Sequence, residues 1–160
     1  MMTRWHLLNL PVRCKDRLHL RLTVEEVLID WPRPTVTGFL VRRRFRPWVI
    51  YRGPGVTLTP FGVAVDSIRR FQHPGRKWLS RELTKTAAWL RAPVVDDALK
   101  ALGWVVDLAL SEDASGVTGL VVSRGILQDL WSGAFVIPVE NLQVLADRRI
   151  KASNSGETST

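Results

Sequence analysis

Residues 102–145 read LGWVVDLALSEDASGVTGLVVSRGILQDLWSGAFVIPVENLQVL. Three β-type runs lie inside this stretch: Val105–Leu110, apolar except for Asp107; Val117–Val122, VTGLVV; and Phe135–Val139, FVIPV. Between the first two, Ser111–Gly116 is polar and ends in glycine, which suits a hairpin loop. A longer loop with Gly125 and Gly133 precedes the third run. Short strands set off by turn signals predict a small antiparallel barrel or sandwich.

The ordered set resembles a PRC-barrel domain over roughly residues 90–150. This small β-barrel is shared by the photosynthetic reaction-centre H subunit and the C-terminal part of a bacterial ribosome maturation factor. Gly103 matches the glycine before the first core strand, and Asp107 its acidic position. Gly116, Val117 and Gly119 match the entry to the second strand, and Ile137-Pro138 the pair before the closing turn. The resemblance implies an adaptor role in which a barrel docks protein partners.

The first half reads as a second copy. Val24–Ile29 lies over Val105–Leu110, and Thr35–Val41 over Gly116–Val122, both at an offset of 81. Pro11-Val12 lies over Pro93-Val94 at 82, and Phe61–Ile68 over Phe135–Leu142 at 74. That drop implies seven extra residues in the first copy, between Arg42 and Pro60. Leu22 stands where Gly103 does, and Ala64 where Pro138 does. A repeat this long means two homologous units rather than a solenoid. The expected architecture is therefore mainly β: two tandem small antiparallel PRC-barrel-like β-barrels joined by a short helical linker. The expected division is 1–71 for the basic first copy, 72–91 for the linker, 92–151 for the second copy and 152–160 for a disordered tail. Units of this size are marginal alone, so the copies should pack together.

Local patterns fill in the remainder. Trp5–Val12 reads as an extended arm. Arg17–Leu22, RLHLRL, alternates with period two and predicts a half-exposed strand. Gly38, inside the Thr35–Val41 strand, predicts a bulge or a close backbone approach. Leu79, Leu83, Ala87 and Leu90 share one helical face, which predicts a helix over residues 80–91 with Ser80 as N-cap. Most of the seven tryptophans should pack in cores or between the copies.

No apolar run reaches the roughly 18 residues of a membrane span, and no signal-peptide core opens the chain. The single cysteine, Cys14, fits a reducing compartment. A cytoplasmic protein is expected. The three histidines share no ligand spacing, and no nucleophile elbow or phosphate-binding glycine motif is present, so neither enzyme nor metal site is expected. The acidic pairs Glu25-Glu26, Asp96-Asp97 and Glu112-Asp113 read as solvated charge, because neighbouring residues on a strand face opposite ways.

The net charge of +8 is uneven: residues 1–80 carry 15 Lys and Arg against 5 Asp and Glu, and residues 81–160 carry 8 against 10. The sharpest feature in the basic half is Arg42-Arg43-Arg44-Phe45-Arg46-Pro47-Trp48. If the strand continues, Arg42, Arg44 and Arg46 share a face. Three readings stay open for this cluster. It is a charged edge guarded against aggregation, a protein-docking hot spot, or a phosphate-binding face for RNA or a ribosome. Trp131, in the loop 128–133, is a further candidate for partner contact.

Overall fold

The computed structural model describes residues 1–31, 33–125, 129 and 133–153. The expected disordered tail therefore lies, from residue 154 on, outside the described residues. The chain is mainly β, and its strands form two sheets.

The first sheet holds β2 (Pro11–Cys14), β3 (Leu22–Asp30), β4 (Thr35–Arg43), β5 (Arg46–Tyr51), β6 (Val56–Thr59), β7 (Gly62–Val65) and β8 (Phe71–Gln72), in the order β6-β7-β2-β3-β4-β5-β8. The second holds β9 (Pro93–Val95), β10 (Ala101–Leu110), β11 (Val117–Ser123), β12 (Phe135–Pro138), β13 (Leu142–Val144) and β14 (Ile150–Ala152), in the order β12-β11-β10-β9-β14-β13. Both paths are mixed rather than antiparallel, because β2 runs parallel to β7 and β9 to β14. Among the described residues, the end strands of neither path pair with each other, so each sheet is open.

The central hairpins match in register. Val24 faces Val41 as Val105 faces Val122, and Leu28 faces Gly38 as Ala109 faces Gly119. Register shifts fall between Val24 and Glu26 and between Leu28 and Ile29; in β10 they fall between Val105 and Asp107 and between Ala109 and Leu110. Gly38 thus sits opposite a bulge, and a Cβ there would collide with the Ile50 carbonyl oxygen. Asn9 (φ 68°) and Arg91 (φ 69°) both take the left-handed conformation and donate their amides to the carbonyls of Val24 and Val105, whose own amides donate to the carbonyls of Leu10 and Ala92.

The match at offset 74 fails. Tyr51 of β5 faces Gly38 as Pro138 of β12 faces Gly119. β7, by contrast, lies beside β2 as β14 lies beside β9. Phe61–Ile68 and Phe135–Leu142 therefore occupy different places. The extra residues fall in the second half: two residues join β4 to β5, and eleven join β11 to β12.

Three local expectations give way to tertiary contacts. The Trp5–Val12 arm is broken by a short helix, α1 (Arg4–Leu7), preceded by β1 (Met2–Thr3), which pairs with β10 in the second sheet. Residues 15–21 form turns, not a strand. Asp16 accepts hydrogen bonds from the Cys14 thiol, the Ser67 hydroxyl and the Ile68 amide, which folds the loop back and leaves Leu18 outside at 80% exposure. The linker helix, α2 (Arg76–Trp89), starts a turn earlier than expected, with Gly75 as N-cap, because Trp78, Leu79 and Leu83 pack on Leu28, Leu40 and Val49. Ala87 is exposed, and Thr86 is the buried residue of the helix.

The main core runs through both sheets, from Val12, Val24, Val27 and Phe39 to Val94, Val105, Leu108, Leu120 and Ile150. The tryptophans divide. Trp31 stacks on Trp89 at 4.4 Å, Trp48 and Trp78 are half-buried, and Trp5 and Trp104 are exposed. No described helix is long and apolar enough to cross a membrane.

Candidate functional site

β4 and β5 join through a tight hairpin. Arg42 faces Pro47 and Arg43 faces Arg46, leaving Arg44 and Phe45 as the two turn residues. A two-residue turn demands a positive φ, and Arg44 supplies it at 56° in place of the usual glycine.

The reversal changes which arginines share a face. Strand partners point the same way and side chains alternate along a strand, so Arg43 and Arg46 join Val41 and Trp48 on one face. Arg42 and Pro47 fall on the other. The expectation that Arg42, Arg44 and Arg46 line up fails because the strand ends at Arg43.

Arg42 is already paired. Its Nε and Nη2 donate to the two carboxylate oxygens of Glu25 at 3.0 and 2.5 Å. This pair is solvent-exposed and contributes little to stability. Among the described residues, no carboxylate forms an ion pair with Arg43, Arg44 or Arg46. Arg43 and Arg46, directly opposite each other, repel. Phe45 at the tip is 100% exposed. A shallow cleft of about 350 Å³ is lined by Arg43, Arg44, Phe45, Arg46 and Trp48.

Trp48 has a packing role beside any docking one. Its ring lies 3.8 Å from that of His73 and meets Phe71 edge-on at 6.2 Å. The β5–β8 pairing brings these rings together, with Ile50 facing Phe71 and Val49 facing Gln72. The Trp48 indole N–H is buried without a hydrogen-bond partner among the described residues. Trp131 lies outside the described residues.

Two connections between the sheets were not legible in the sequence. Arg52 donates to the main-chain carbonyls of Asp113 and Ala114, and Thr35 bridges Gly116. α1 is held from both sides, by Glu26 through Arg4 and by Asp107 through the Trp5 amide. The only sequence signal for the second connection was that Glu26 and Asp107 align.

The acidic pairs divide by partner. Glu25 binds Arg42 and Glu26 binds Arg4. Asp96 accepts from the amides of Ala98 and Lys100, while Asp97 meets Lys151 at 3.7 Å. Asp113 accepts from the hydroxyls of Ser115 and Ser111, which with Arg52 nearby lowers its carboxyl to about 2. Each of these groups serves a turn, a bulge or an ion pair.

Comparison with protein-family models and with curated proteins finds no match to this sequence.

Proposed function

We propose that the chain is a non-catalytic adaptor built from two PRC-barrel-like copies, residues 1–71 and 92–151, with 72–91 between them, and that it docks a protein partner. Matched bulges and matched left-handed residues support the duplication. The observation that carries the docking reading is the hairpin flank: Arg43 and Arg46 face each other beside Trp48, with no carboxylate among the described residues paired to either. Folding gains nothing from two opposed cations, whereas arginine and tryptophan are the residues most enriched in binding hot spots.

The test replaces Arg43 and Arg46 by Ser and measures capture of partners from nuclease-treated lysate. The melting temperature should stay the same and capture should fall, while Arg42→Ser, which removes a cation already paired with Glu25, should leave capture intact. Equal capture by all variants overturns the reading.

An RNA or ribosomal partner is the second reading, favoured by one observation. Residues 42–81 carry nine arginines and one lysine but a single carboxylate, Asp66. Capture lost on nuclease treatment, with a steep dependence on salt, would select it.

A further inference from the structure

The strand register gathers two loops at one end of the first sheet. Thr23 faces Arg42 across β3–β4, and Val12 faces Leu22 across β2–β3. The loop 15–21, which joins β2 to β3, therefore opens beside the tip of the β4–β5 hairpin. β7 runs parallel to β2, with Val65 beside Cys14, so the segment 66–70 leaves the sheet at the same end.

This end is basic. Loop 15–21 carries three cations and one carboxylate, the tip 43–46 three arginines and no carboxylate, and segment 66–70 two arginines and one carboxylate. The carboxylates are engaged: Asp66 binds Arg70, and Asp16 pins its own loop. Each of the two neighbouring loops also holds out one apolar side chain among its cations, Leu18 at 80% and Phe45 at 100% exposure.

We propose that this end of the first sheet docks on an anionic lipid bilayer surface, with Leu18 and Phe45 entering the interface and Arg44 and the cations of loop 15–21 meeting lipid phosphates. Apolar side chains rimmed by arginine or lysine match a bilayer, which offers hydrocarbon beneath a negative surface. Leu18 decides against nucleic acid, since an aliphatic chain has no face on which to stack a base. Phe45 stands at the apex of a two-residue turn, a convex feature suited to a yielding interface. Both exposed tips are unfavourable in water and, on this account, exist for the surface they enter. The inference goes beyond the adaptor reading by placing the adaptor at a membrane. It uses the tips and leaves the Arg43–Arg46–Trp48 flank for the protein partner.

The test is co-sedimentation of the full chain with vesicles of phosphatidylcholine alone and of two parts phosphatidylcholine to one part phosphatidylglycerol. Wild type should pellet with the anionic vesicles only, and less as salt rises. Leu18→Ser with Phe45→Ser should weaken partition by about tenfold. Arg44→Gly, at a position whose positive φ glycine takes readily, should weaken it by about fivefold with the hairpin kept. Both variants should retain the wild-type melting temperature, because the altered side chains are exposed. The inference is overturned if wild type stays in the supernatant with both vesicles, or if the Leu18/Phe45 variant pellets like wild type. It is also overturned if that variant loses binding to a single-stranded RNA oligomer instead. None of these outcomes bears on Arg43 and Arg46, so the adaptor reading stands or falls separately.

Discussion

Glu26 and Asp107 occupy corresponding bulges in β3 and β10, and together they hold the same four-residue helix. Each carboxylate accepts the amide that follows it, Val27 at 2.9 Å and Leu108 at 2.8 Å. Each also reaches α1: Glu26 takes the Arg4 guanidinium at 2.7 and 2.5 Å, and Asp107 takes the Trp5 amide at 3.3 Å. The N-terminus is thereby fastened between the sheets, and β1 extends the fastening along β10.

The two carboxylates should differ in weight. Arg4 and Glu26 are largely buried, so Glu26→Gln leaves a guanidinium without its counter-ion and should cost about 2–3 kcal/mol. Asp107→Asn loses longer bonds to an amide and should cost about 1 kcal/mol. Urea denaturation of both variants checks this, and equal costs would mean that the Arg4 pair adds nothing beyond the bulge bond.

Core truncations should follow the faces of β10 and β12. Leu108 is fully buried and Ile137 nearly so, whereas Val106 is 43% exposed. Leu108→Ala and Ile137→Ala should each cost about 2–5 kcal/mol, and Val106→Ala under about 1 kcal/mol. Chevron or equilibrium denaturation would expose inverted faces as a large loss at Val106.

Acid should loosen the hairpin that joins the sheets. The folded state holds Asp113 at about 2, below its ordinary 3.8, through the Ser115 and Ser111 hydroxyls first and Arg52 last. A depressed carboxylate adds stability above its unfolded value, and that contribution is lost as pH falls from about 3.8 to about 2. The melting temperature of wild type should drop across this window more steeply than that of Asp113→Asn. Parallel curves would show that the turn does not depend on the charge.

Cys14 should be slow toward thiol reagents. Burial pushes the thiol up, and its hydrogen bond to Asp16 pushes the same way. The native protein should react with Ellman's reagent far more slowly near neutral pH than the urea-unfolded chain, which should yield one thiol at once. Equal rates would place Cys14 at the surface.

Local pattern in the sequence determined the hairpins β3–β4 and β10–β11 and the correspondence between them. Alternation, β-branching and glycine act within a few residues, and both halves carry them in step. It also determined that a helix lies between the halves and that the basic charge sits in the first. Tertiary structure alone decided what each segment meets. The RLHLRL alternation promised a strand, but Asp16 found Ser67 and Ile68, 51 and 52 residues away, and closed it into a loop. The apparent match of Phe61–Ile68 to Phe135–Leu142 dissolved because β7 pairs in parallel with β2, a choice that periodicity does not encode. Of the arginine cluster, the sequence showed the charge but not that Arg42 is spent on Glu25, nor that the chain reverses at Arg44 and sets Arg43 against Arg46. Hydrophobic period is a property of one segment. Pairing, capture of a carboxylate and the grouping of loop tips belong to segments distant in sequence, and only the folded chain brings them within reach.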